Sequence, residues 1–314
     1  MKRGLSSMQS VPALVSASWL SAQLSTVKVI DASWYLPAMK RDAWKEFNTA
    51  RIPGATFFDI DKTDDKSDLP HMLPSSIHFA STMLSLGVSS EDHIVCYDCK
   101  GLFSAARLWW MLKAFGHTRS SVLDGGLPAW QRANLPVETG AWEAAPKASG
   151  AFNAKLDQTL VADLTKMRGL VDSSKLVGGG GGGGSSSSRS APIVLDARSK
   201  ARFEGTVAEA RPNCRSGHMP GSRSLPFDTL LDGDGLFKPD AEVKAAFAAA
   251  GVADINAPLI GSCGSGVTAS VLALALEHIG REGLLEIYDG SWAEYGSDVT
   301  QPLATGSADD EKLV

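Results

Sequence analysis

Short apolar runs alternate with longer mixed ones along this chain. "KVIDA" (28–32), "HIVCYD" (93–98) and "SVLDG" (121–125) are brief and rich in β-branched residues, and they read as buried strands. "FSAARLWWMLKAF" (103–115) and "VTASVLALALEHI" (267–279) are long enough to read as helices. Alternation of this kind predicts an α/β fold, a mainly parallel sheet with helices on both faces. Sites in such sheets lie at the carboxyl ends of strands, and Cys263 directly follows the apolar run "PLIGS" (258–262).

The pattern occurs twice. "KVIDASWYL" (28–36) is echoed by "IVLDARSKARF" (193–203), and "ARIPGATFFDID" (50–61) by "SGHMPGSRSLPFD" (216–228). "HIVCYDCKGLFSAARLWWMLKAFGH" (93–117) matches "PLIGSCGSGVTASVLALALEHIG" (258–280), and "VLDGGLPAW" (122–130) matches "IYDGSWAEY" (287–295). Asp31 and Asp196 are 165 residues apart, Cys99 and Cys263 164, and Asp124 and Asp289 165. One duplication accounts for this better than a solenoid does. It places a first unit at 11–138, a linker at 139–152 and a second unit at 153–300. The Gly178–Ser188 tract then falls inside the second unit, between its opening helix ("DQTLVADLTKMRGLV", 157–171) and the strand near Leu195. It reads as a surface insertion, because no Gly-Lys-Ser/Thr ending follows to make a phosphate loop.

Composition narrows the function classes. The 314 residues are 44% hydrophobic and 21% charged, with a net charge of -5, an ordinary water-soluble balance. No long basic run points to nucleic acid, and no apolar stretch approaches the roughly 18 residues of a membrane span. Four cysteines (Cys96, Cys99, Cys214, Cys263) are too few for a disulfide scaffold and suit a reduced, cytoplasmic compartment. The basic start "MKRGLSSMQSVPALVSASWL" leaves a mitochondrial address as an alternative.

Cys263 stands in "SCGSGVT", a loop running from a strand into a helix. Backbone N–H groups and the helix dipole there favour an anion, so a thiolate nucleophile is one reading and a packed core cysteine the other. Gly264 and Gly266 permit the tight bend, and Ser265 and Thr268 add hydroxyls. A cysteine phosphatase would need an arginine soon after the loop. Here "ASVLALALEHIGR" (269–281) offers nothing cationic before His278, which disfavours phosphate-ester hydrolysis.

Together "CGSGVT" (263–268), "GSWAEY" (290–295), "DASWYLP" (31–37), "IPGATFFDID" (52–61), "HMLP" (71–74), "SAARLWWMLKAFGH" (104–117) and "LDGGLPAW" (123–130) resemble the 3-mercaptopyruvate sulfurtransferases of the rhodanese superfamily. The resemblance runs from about Ala13 to Tyr295 and implies two rhodanese-like domains, the second one catalytic. It implies that the Cys263 thiolate takes sulfur from 3-mercaptopyruvate as a persulfide, releases pyruvate and passes the sulfur to cyanide or a thiol such as thioredoxin. By motif, Ser265, His71 and Asp61 would move protons. Arg202 and Arg211, with Gly264, Gly266, Val267 and Thr268, would hold the substrate, and no metal or cofactor is implied. Surface ion-paired arginines are the alternative reading of Arg202 and Arg211.

The neutral loop after Cys263 favours a monoanionic keto acid over dianionic thiosulfate. A thiosulfate sulfurtransferase and a persulfide carrier serving a partner are the competing functions. Cys99, twinned with Cys263 by the repeat, has the bulky neighbours Lys100, Leu102 and Phe103 and reads as structural. Cys96 reads as strand packing and Cys214 as an exposed loop thiol. Trp109 and Trp110 read as helix core, and Asp31, Asp124, Asp196 and Asp289 as structural strand-end residues.

Overall fold

The computed structural model describes residues 11–62, 67–145, 147–173 and 191–313. The Gly/Ser tract lies outside them. The first half runs β1 (Leu14–Val15), α1 (Ala17–Gln23), β2 (Lys28–Asp31), α2 (Ala43–Thr49), β3 (Thr56–Phe57), α3 (Ser76–Ser85), β4 (Ile94–Tyr97), α4 (Ala105–Ala114), β5 (Ser120–Leu123) and α5 (Gly126–Arg132). The second repeats the order: β6 (Val161–Ala162), α6 (Leu164–Asp172), β7 (Ile193–Asp196), α7 (Lys200–Phe203), β8 (Arg223–Ser224), α8 (Asp240–Ala249), β9 (Leu259–Ser262), α9 (Ala269–His278), β10 (Glu286–Tyr288) and α10 (Ser291–Tyr295).

Each half is a five-stranded parallel sheet, ordered β1-β5-β4-β2-β3 and β6-β10-β9-β7-β8. Burial on both faces explains why the strands are apolar runs and not alternating ones. The central β4 and β9 are buried along their whole length. Side chains cap equivalent helix starts: Ser16 accepts from the Trp19 N–H and Asp163 from the Lys166 N–H.

Helices α4 and α9 pack against each other, so one apolar core runs through both halves. This is why both are hydrophobic on nearly every side. Trp110 reaches across to donate its indole N–H to the Leu285 carbonyl at 3.0 Å. The stretch expected as a linker lies along the first half: the Gly140 N–H donates to the Asn48 carbonyl, the Trp142 N–H to the Asn48 side chain, and the Ala151 carbonyl accepts from the Ser90 N–H. Past residue 300 the chain also packs on the second half, where Ala304 and His218 exchange backbone hydrogen bonds.

Candidate active site

The loop Cys263–Thr268 leaves β9 and enters α9, as the pattern predicts. The start of α10 holds it in place. The Trp292 N–H donates to the Cys263 carbonyl at 3.0 Å and the Ala293 N–H to the Gly264 carbonyl at 2.9 Å. Ser291 Oγ accepts from the Cys263 and Gly266 N–H groups at 3.3 and 3.1 Å and donates to the Tyr288 carbonyl. Two loop donors are therefore spent on Ser291, a residue the sequence reading did not single out. The N–H groups of Gly264, Ser265, Val267 and Thr268 have no acceptor among the described residues. Gly266 has φ +76°, and a Cβ there would come within 2.9 Å of Arg107 Nη1.

The first half shows what such a loop binds. Sheet register aligns Ser262, beside Asp196, with Tyr97, beside Asp31, so the counterpart of Cys263 is Asp98. The Leu127 N–H donates to the Asp98 carbonyl just as Trp292 does to Cys263. This corrects the pairing of Cys99 with Cys263: the first loop has one extra residue before its helix, so the offset drops from 165 to 164 inside the loop itself. The buried Asp98 carboxylate accepts from five N–H groups, those of Lys100, Gly101, Phe103, Ser104 and Ala105, at 2.9–3.1 Å. The first cradle is thus filled by its own anion. Cys99 instead turns its thiol toward Asp31 at 3.6 Å, where burial pushes the thiol up, and buried Cys96 is shifted the same way.

Ser265, His71 and Asp61 come together from both halves. His71 Nδ1 lies 2.8 Å from Ser265 Oγ, and its Nε2 lies 2.9 Å from Asp61 Oδ1. The hydrogen bond from His71 holds the Asp61 carboxyl below its usual range, so Asp61 is an ionised acceptor. Nε2 therefore carries the proton, leaving Nδ1 to accept from the Ser265 hydroxyl. Burial lowers the His71 pKa, against the opposing pull of Asp61. Trp34 packs edge-on against the imidazole, with ring centroids 4.5 Å apart, and donates its indole N–H to Asp61.

Cys263, 1% exposed, lies at a cavity of about 180 Å³ lined by residues of both halves, among them Trp34, Lys100, Phe103, Arg211 and Phe227. Val267 and Thr268 line it too. Arg211 donates to the Gly264 carbonyl at 3.4 Å and to Ser265 Oγ at 3.2 Å, and burial lowers its pKa. Arg202 also lines the cavity but is ion-paired with Glu209, which it shares with Arg198. A Cβ on Gly264 would stand 3.3 Å from Arg202 and 3.4 Å from Arg211, so glycine keeps room for both guanidiniums.

Sequence reasoning missed Lys100, Phe103 and Phe227 as lining residues, because they reach the cavity from segments remote from the loop. Two further readings change. Cys214 is half-buried, donating its thiol to the Trp292 carbonyl at 3.4 Å, and is not an exposed thiol. Asp289 reaches beyond its own strand end to bind the buried Arg107 of the other half.

Known proteins share this architecture. Residues 16–133 match the model of the rhodanese-like domain. The chain is 40% identical to human 3-mercaptopyruvate sulfurtransferase over 300 residues, 93% of this chain and 94% of that one. It is also 40% identical to chicken thiosulfate sulfurtransferase over 292 residues, covering 90% and 93% of the two chains. Among solved structures, Tum1 from Saccharomyces cerevisiae superposes with a TM-score of 0.80 at 31% identity, over 92% of this chain and 96% of that one. SseA, a 3-mercaptopyruvate sulfurtransferase from Escherichia coli, gives 0.75 at 36%, over 90% and 100%. With two parallel sheets and a cysteine loop closed by residues of both, the chain belongs to the family of rhodanese-fold sulfurtransferases that includes the 3-mercaptopyruvate sulfurtransferases.

Proposed function

We propose that this sulfurtransferase takes its sulfur from 3-mercaptopyruvate and carries it as a persulfide on Cys263. The observation that carries this reading is the hydrogen bond between His71 of the first half and Ser265, two residues after Cys263. A proton relay beside the thiol is what a mercapto acid donor requires.

In this reading Arg211 and Arg202 hold the carboxylate and keto oxygens. The Cys263 thiolate attacks the substrate sulfur and the C–S bond breaks, its electron pair passing to carbon as the pyruvate enolate. The thiol proton leaves through Ser265 and His71 and returns to that carbon, giving pyruvate and the Cys263 persulfide anion. Unspent N–H groups of the loop receive the anionic sulfur, as the first loop receives Asp98. A thiol acceptor such as thioredoxin, or cyanide, then removes the outer sulfur. A reduced compartment, cytosol or mitochondrion, keeps Cys263 a thiol between turnovers.

Intact-mass spectrometry after addition of 3-mercaptopyruvate tests the reading. One added sulfur is expected, removed by a small thiol and absent in Cys263→Ser. No added sulfur on the wild-type protein would overturn it.

A further inference from the structure

Arg107 is fully buried and lies in the half that lacks the reactive cysteine. Its Nη2 donates to Asp289 Oδ1 at 2.5 Å and to the His71 carbonyl at 2.8 Å. The other oxygen of Asp289 accepts from the Leu73 N–H at 2.9 Å. The buried pair thus grips the His71–Leu73 backbone at both ends, and it does so from opposite halves of the molecule. His71 needs gripping: its φ is 62°, the left-handed region that a non-glycine residue rarely adopts. The imidazole has to span from Asp61 to Ser265 in that conformation.

The same contact has a counterpart in the repeat. Asp124 Oδ1 accepts from the Phe237 N–H, as Asp289 does from Leu73. The helix position that carries Arg107 in α4, however, holds Val271 in α9, and Gly235 stands where the second half would need a histidine. The arginine therefore accompanies the histidine and not the fold. A buried guanidinium whose Nε and Nη1 have no hydrogen-bond partner among the described residues is an expensive way to join two domains, and apolar packing of α4 on α9 already does so.

We infer that Arg107, braced by Asp289, is the positioning residue of His71, holding its strained backbone so that the imidazole meets Ser265 and Asp61 together. The inference rests on the proposed reaction for its consequence, since only a misplaced proton relay would slow the step.

The test replaces Arg107 by Met and by Lys, and Asp289 by Asn. Arg107→Met is expected to lower kcat with 3-mercaptopyruvate about tenfold or more, with KM changed less than about threefold, because Arg202 and Arg211 are untouched. The 15N shifts of His71 should change from a fixed Nε2–H tautomer to a mixture. Asp289→Asn should move both readouts in the same direction, and Arg107→Lys should recover most of each. Should Arg107→Met not fold, the Lys and Asn variants carry the same comparison. An unchanged kcat, or a lower kcat with the His71 tautomer intact, overturns the inference. A wild-type protein inactive on 3-mercaptopyruvate would count against the proposed function alone, because the His71 spectrum still reports the positioning.

Discussion

Asp98 and Cys263 occupy the same place in the two sheets, each directly after the central strand and each receiving a helix-start N–H on its carbonyl oxygen. One loop closes on its own carboxylate; the other leaves backbone donors unspent around a thiol. Asp98→Ala would strand five N–H groups, four of them on buried residues. It is expected to destabilise the protein by about 3 kcal/mol or more in urea unfolding, with Asp98→Asn intermediate. Sulfur transfer per folded molecule should persist, since the change lies in the other cradle.

The relay makes a prediction in pH. Burial holds the His71 pKa below its ordinary 6.5, so the ring is neutral at pH 7 and able to accept a proton. Activity with 3-mercaptopyruvate should therefore fall on the acid side only below about pH 6.5. The Asp61 charge and hydrogen bond raise the His71 pKa, so removing the charge lowers it further. Asp61→Asn should move the acid limb to lower pH while reducing kcat. A limb that moves toward neutral pH would contradict the assigned contacts.

Gly266 sits under a second constraint. At φ +76°, with Arg107 Nη1 only 2.9 Å from where a Cβ would be, alanine meets both backbone strain and a clash. Gly266→Ala is expected to cost about 2 kcal/mol in thermal or urea unfolding and most of the activity. Gly283, at φ +77° with open space around it, is the control: its alanine variant should lose about 1 kcal/mol and keep activity.

Donor charge is read by the whole cavity, and the loop is only part of it. Arg198 and Arg202 are balanced by Glu209 and Asp196, whereas Arg211 and Lys100 have no carboxylate within ion-pair distance among the described residues. Lys100 Nζ stands 4.2 Å from the Phe103 ring at the cavity wall. Lys100→Met should therefore lower kcat/KM for dianionic thiosulfate about tenfold, and for 3-mercaptopyruvate by clearly less. Both losses should shrink in about 0.5 M salt. An equal loss on the two donors would show that Lys100 does not read charge.

Much of this was legible in the chain itself. The apolar runs and their repetition determine two parallel α/β sheets, because a strand buried on both faces must be apolar throughout. The strand-to-helix loop marks Cys263, because its backbone geometry follows from local order. The motifs name His71, Asp61, Ser265, Arg202 and Arg211. Tertiary structure alone decided which of these meet. It set Asp98, not Cys99, opposite Cys263, because sheet register, unlike residue counting, is blind to an insertion within a loop. It brought His71 to Ser265, Lys100 to the cavity and Arg107 to Asp289, all between halves far apart in sequence. Contacts across an interface depend on how two folded surfaces dock, and no local pattern of apolar and polar residues encodes that.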